Sequence, residues 1–286
     1  MSRFKDMLLP LSTYPDPTPE HVIDQAVAFS HLSGARLSAI VSVIDRHKLA
    51  KYYAHGAWLM DVPSLIDEIV GRSRADGQRL VERFERIAAA QGVVQDKLGE
   101  SSAALFSSDY LVACARLRDL TFLPIPDFVG LDALRTEDMI FGTGHPVVLL
   151  PAYEGAAVRK PSLDRIVVAW DFSQAAARAL ADAIPLLQRA GQVRLVTVRG
   201  EKELDNRQTL EDVRRHLQMH DIVPDLETID VGTSSVGGTI TRYLREHKAD
   251  MLVMGAFGHS RIREFVLGGV TRSMLTKPPL PVFLSH

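Results

Sequence analysis

Short β-branched runs alternate along this chain with longer stretches whose apolar positions recur every three or four residues. The pattern is cleanest in the C-terminal half. Arg165–Trp170 (RIVVAW) has the composition of a strand buried on both faces. Asp171-Phe172-Ser173 follows, and then an alanine-rich stretch carries Ala176, Leu180, Ile184 and Leu187 on one face. That spacing predicts a helix opened by Ser173 or Asp171 and closed by Gly191. Val193–Val198 predicts a second strand, about Asp205–His220 a polar helix, and Leu226–Val231 a third strand. A third helix over about Ser235–His247 leads to a fourth strand at Met251–Met254, and Val282–Ser285 ends the plan after a proline-rich stretch. Strands alternating with helices of this length predict a parallel sheet covered on both sides.

The first half repeats the plan. Asp6–Leu11 matches Arg165–Trp170, although Pro10 is expected to interrupt it near its end. Pro17–Ser33 predicts the first helix, Leu37–Ile44 the second strand, and Phe122–Ile125 and Val147–Leu150 the fourth and fifth. HPVVLLP at 145–151 and LPVFLSH at 280–286 mark equivalent ends of two repeats. The expected domains are therefore 1–151 and 162–286, with the boundary in Ala152–Pro161. The first repeat is expanded after its second strand. His47–Pro63 carries Tyr52, Tyr53, His55, Trp58 and Met60, and a long amphipathic helix with Ile66, Ile69, Leu80, Phe84 and Ile87 runs on to about Ala90. Two readings of the aromatic stretch stand open: the mouth of a ligand site or an interface, and a packed lid over the sheet edge.

Composition adds limits. A length of 286 residues suits two domains, and a net charge of −2 supplies no bulk positive field for nucleic acid or an anionic membrane. Cys114, the single cysteine, lies in an apolar pattern and reads as a small core residue. The first residues lack the features of a signal peptide, and no apolar run approaches membrane-spanning length, so a cytoplasmic protein is expected.

The most specific local sequence is Met254–Ser273, MGAFGHSRIREFVLGGVTRS. Gly255 and Gly258 come directly off the fourth strand, and Gly268-Gly269 precede the last helix. Glycines at a strand's carboxyl end let backbone N–H groups approach an anion closely. A helix starting near Val270 would add its unpaired N–H groups and the positive end of its dipole, and Thr271 a hydroxyl. His259, Arg261 and Arg263 lie within reach of a phosphate or serve only as solvated loop charges. The run is neither a Walker loop nor the G-x-G-x-x-G dinucleotide fingerprint.

Gly255-x2-Gly258-x9-Gly268 resembles the G-x2-G-x9-G-[S/T] signature of the ATP-binding branch of the universal stress proteins, and GHSRIREFVLGGVTRSML resembles the same segment of that family. The resemblance covers nearly all of the chain as two repeats, with the motif sharp only in the second. It implies two tandem Rossmann-like (adenine nucleotide alpha hydrolase-like) α/β domains, each a five-stranded parallel sheet with helices on both faces. It also implies ATP or a related adenine nucleotide as ligand, with magnesium as an optional companion, and pairing of the two domains within one chain, with a homodimer as a further level of assembly. Carried over by position, Ala169 and Asp171 lie on the adenine side, Val198 at the base or ribose, and Gly255, Gly258, His259, Arg261, Gly268, Gly269, Val270 and Thr271 around the phosphates. Gly269 departs from the family's serine or threonine, a loss of about 0.5–1.5 kcal/mol if one neutral hydrogen bond goes with it.

In the first half, Pro124–Pro146 has no G-x2-G, and Asp127, Asp132, Glu137 and Asp138 make it repellent to phosphate. No ATP site of the family kind is expected there. His216 and His220 have a metal-compatible i, i+4 spacing without a third ligand, which reads as a solvated helix face. No nucleophile elbow or complete catalytic set appears, so at most slow ATP turnover is expected and an adenylyl-transferring enzyme ranks last. The alternative to a nucleotide-holding stress protein is a nucleotide-independent scaffold or small-ligand binder using the insertion around Tyr52–Met60.

Overall fold

The computed structural model describes residues 4–53, 61–103, 108–126, 131–156, 161–200, 209–232, 234–256 and 269–286. The first half runs β1 (Asp6–Ser12), α1 (Glu20–Ser33), β2 (Arg36–Ile44), α2 (Arg46–Tyr53), α3 (Val62–Ala90), β3 (Gln95–Ala103), α4 (Asp109–Ala115), β4 (Leu120–Ile125), α5 (Leu131–Gly142) and β5 (Val147–Pro151). The second runs β6 (Arg165–Ala169), α6 (Gln174–Leu187), β7 (Gln192–Arg199), α7 (Leu210–Gln218), β8 (Asp225–Asp230), α8 (Val236–Glu246), β9 (Met251–Gly255), α9 (Gly269–Thr276) and β10 (Val282–Ser285).

All ten strands join one sheet in the order β3-β2-β1-β4-β5-β10-β9-β6-β7-β8. Pairing within each half is parallel, and the halves meet where β10 pairs with β5 antiparallel, Val282 opposite Leu149 and Leu284 opposite Val147. The architecture is thus two tandem five-stranded Rossmann-like units sharing one seam. Every residue of β5 and β10 is buried, because each strand has a neighbour on both sides and helices over both faces. Across the seam, the Phe4 and Phe283 rings meet edge to face at 6.2 Å, and the Tyr153 hydroxyl donates to the Pro278 carbonyl at 2.9 Å.

Local signals explain the main helix ends. The Ser173 hydroxyl accepts the Ala176 N–H and opens α6, whose Ala176, Ala179, Leu180, Ala183 and Leu187 face the core. Thr209 and Asp212 exchange hydrogen bonds as a capping box at α7. Gly34 ends α1 with φ 65°, the left-handed conformation that glycine adopts without a Cβ penalty.

Two expectations change. Pro10 does not interrupt β1, which continues to Ser12 in register with Ser42. The register of β1 with β4 stops at Leu8, before Pro10, while the pairing with β2 carries on through Pro10 to Ser12, so the ring is accommodated without ending the strand. Cys114 is half-buried rather than sequestered, because α4 is a short helix packed on the rim of the core. Its thiol hydrogen-bonds the Tyr110 phenol and pushes the pKa of that phenol up.

Candidate functional site

The C-terminal half has a crevice at the carboxyl edge of its sheet, where β6 and β9 part. Their last paired residues are Val168 and Val253. Beyond them the Trp170 N–H turns to the Val196 carbonyl on one side at 2.8 Å, and the Ala256 N–H turns to the Ser285 carbonyl on the other, also at 2.8 Å. The strands therefore diverge at the point where the chain's order in the sheet reverses, which is where open α/β sheets take ligands.

Residues from three strand ends converge on this edge. Asp171 is exposed, and its carboxylate accepts the Ser173 N–H at 3.0 Å. That contact and the ring of Trp170, 5.9 Å from that of Phe172, hold Phe172 at φ 62°. A left-handed conformation at a bulky residue costs about 1–2 kcal/mol, a strain that clusters at functional turns. Ala169, Val198 and Val270 are half-buried and pack against one apolar cluster, which extends into the first half through Leu8 and Ile40. Ile229 and Val236 reach that cluster too. They are candidate wall residues that the sequence reading missed, since nothing in a lone isoleucine or valine marks it as lining a site.

The glycine positions divide. β9 ends at Gly255 and α9 begins at Gly269, close to the helix start expected at Val270. Gly258, His259, Arg261, Arg263 and Gly268 lie outside the described residues. Gly255 has a packing role of its own: a Cβ there would lie 2.4 Å from the Ala175 carbonyl carbon and 2.5 Å from the Ala176 nitrogen. It is glycine because the first turn of α6 presses on the end of β9. Thr271 is buried in the first turn of α9, 4% exposed.

The first half treats the same edge differently. α3 is 29 residues long, and Ser73 in its fourth turn accepts the Ile44 N–H at 2.9 Å, at the very end of β2. The residues before Ser73 therefore carry α3 roughly 16 Å past the carboxyl edge. The Thr13 hydroxyl, just beyond β1, lies 2.6 Å from the Ser73 hydroxyl and donates to the Ser42 carbonyl at 2.7 Å. Ile44, Leu49, Ile66 and Val70 form a separate apolar cluster joining α2 to α3, with Tyr14 packed against it. These helices pack on that edge, and both readings of the aromatic stretch stay open. The stretch containing His55, Trp58 and Met60 lies outside the described residues, as does Asp127, while Tyr52 and Tyr53 are the last residues of α2.

The remaining candidates are peripheral. His216 and His220 meet edge to face at 5.1 Å near the end of α7, and no third histidine, cysteine or carboxylate joins them among the described residues. Asp138 accepts the Ser108 hydroxyl at 2.6 Å, which ties α5 to the start of α4. No helix among the described residues is long and apolar enough to cross a membrane.

Residues 162–286 match the model of the universal stress protein family. A universal stress protein of Synechocystis sp. is 49% identical over 43 residues, a stretch covering 15% of this chain and 15% of that protein. Among solved structures, a universal stress protein from Archaeoglobus fulgidus superposes with a TM-score of 0.68 at 16% identity, covering 97% of each chain. A putative universal stress protein from Pseudomonas aeruginosa gives 0.57 at 12% identity, covering 99% of this chain and 94% of that one. At such identities the likeness shows the fold, and it extends over both halves.

Proposed function

We propose that the chain, whose residues 162–286 match the universal stress protein family, holds one adenine nucleotide, ATP or a close relative, in its C-terminal half. The observation that carries this reading is the divergence of β6 and β9, with Asp171 just past one strand and Gly255, where the glycine-rich sequence begins, at the end of the other. The residues fit such a ligand. Asp171 is an exposed acceptor for the base side, Ala169 and Val198 offer an apolar wall, and the start of α9 supplies backbone N–H groups for phosphate. Bound nucleotide would contribute a polyphosphate whose charge is met by backbone donors and by His259 and Arg261, with a magnesium ion as an optional companion.

The cover of α2 and α3 over the first half supports a single site per chain, with the unit 1–151 as the paired partner of 162–286. In this reading the protein is a cytoplasmic nucleotide-holding regulator with at most slow ATP turnover, and two chains can associate further. Equilibrium dialysis with ATP tests it. The wild type should bind one equivalent, and the pair Gly258→Val with Gly268→Val should lose at least about tenfold in affinity. Gly255 is left intact in that test because its substitution disturbs α6 directly. Equal weak binding by both proteins would remove the nucleotide reading and favour a nucleotide-independent scaffold.

A further inference from the structure

α7 closes in a turn whose outer face carries two imidazoles and a thioether. The last bonds of the helix tighten: the Met219 N–H reaches the His216 carbonyl at 3.1 Å, and the His220 N–H reaches the Leu217 carbonyl at 2.9 Å. In such turns the side chains at i and i+3 eclipse, which sets Met219 over His216. The rings of His216 and His220 have centroids 5.1 Å apart. Two imidazoles that share a tetrahedral ion through nitrogens about 2.0 Å from it have centroids roughly 5 Å apart, so these rings stand at chelating distance. The turn is held from below. Leu217 and Ile222 are buried, the Ile222 N–H returns to the Leu217 carbonyl at 3.1 Å, and Gln188 of α6 donates to the His220 carbonyl at 3.1 Å. The outer face is uncommitted. No hydrogen bond engages either imidazole among the described residues. Met219, at 82% exposure, is the most exposed large apolar side chain among them, so packing does not account for it. Asp212, one turn earlier, is taken up by Thr209 and Arg215 and brings no carboxylate to the set.

We propose that His216, Met219 and His220 form a site for monovalent copper. Two imidazoles alone suit zinc, nickel or copper, and the thioether adds the soft donor that selects Cu(I) among them. The hard oxygen ligands that favour magnesium, calcium or manganese are missing from the set. The thioether is the third donor that a search for histidines and carboxylates passes over. The site lies where α7 hands over to β8, at the amino edge of the C-terminal half, and does not depend on the nucleotide crevice.

Anaerobic titration of the full chain with Cu(I), in competition with the chromogenic chelator bicinchoninate, tests the assignment. The wild type should take up one ion per chain. His216→Ala and His220→Ala should each weaken uptake at least about tenfold, since even the supporting residues of a metal site are worth that much. Met219→Leu should weaken Cu(I) by about tenfold while leaving the affinity for Zn(II) unchanged, because only the softer ion uses the thioether. Cys114→Ser should change nothing, since that thiol lies on α4 of the first half. His216 and Met219 are exposed, so their variants keep the fold and decide the matter even if His220→Ala does not. Absence of saturable uptake by the wild type, uptake unchanged in His216→Ala or in Met219→Leu, an equal loss of Zn(II) and Cu(I) in Met219→Leu, or uptake lost in Cys114→Ser would each overturn the proposal.

Discussion

Gly255 sits where the end of β9 meets the first turn of α6, and its substitution can be worked through from distances. In Gly255→Ala the new Cβ would lie 2.4 Å and 2.5 Å from backbone atoms of Ala175 and Ala176 and 2.8 Å from the Ala175 side chain. Ordinary contact begins near 3.4 Å, so the first turn of α6 and the end of β9 must separate by about 1 Å. The obstructing atoms are backbone within a capped helix, and they cannot swing aside as a side-chain tip would. The cost should reach the upper part of the overpacking range, about 3 kcal/mol. At roughly 2–4 °C per kcal/mol, the melting temperature should fall by about 6–12 °C. Gly71→Ala is the matched control. It lies within α3 with nothing inside 4 Å of the added methyl, so relief of backbone entropy should stabilise by about 0.5–1 kcal/mol. Melting followed by circular dichroism compares the two variants with the wild type. If Gly255→Ala melts within about 1 °C of the wild type, the close approach does not exist and the packing account of this glycine fails.

Two further outcomes follow from buried polar contacts. Ser73→Ala leaves the Ile44 N–H unpaired and removes one of the two partners of the Thr13 hydroxyl, so it should cost about 1–3 kcal/mol in denaturant unfolding, and an unchanged midpoint would contradict the described seat of α3. Burial pushes the Tyr243 phenol up to about 12 from an ordinary value of 10, with Arg194 opposing that shift and Glu227 reinforcing it. The folded state prefers the neutral phenol, so its contribution is complete below pH 10 and is lost as pH rises towards 12. Tyr243→Phe should flatten the fall in stability across that window, and an unaltered alkaline profile would assign the fall elsewhere.

Much of the architecture was legible in the chain itself. β6, β9 and β10 are β-branched or leucine-rich because strands buried on both faces leave little place for polar side chains, and that composition is visible without a structure. The alanine face of α6 and the apolar period of α3 were equally plain, since helical spacing is a local property. β3, with the sequence QDKLGESSA, was not legible: an edge strand with this polar sequence is specified by the ladder β2 offers it rather than by its own residues. The crevice between β6 and β9 was likewise invisible, because it depends on where hydrogen bonds to Val196 and Ser285 draw two strands apart. The glycine spacing named Gly255 as a position of interest, but only the contact with Ala175 and Ala176 showed that the strand–helix packing requires it. Sequence alone determined the repeated α/β plan, because pattern and residue type are carried locally. Tertiary structure decided the single ten-stranded sheet and the covered edge of the first half, because both arise from atoms far apart in the chain.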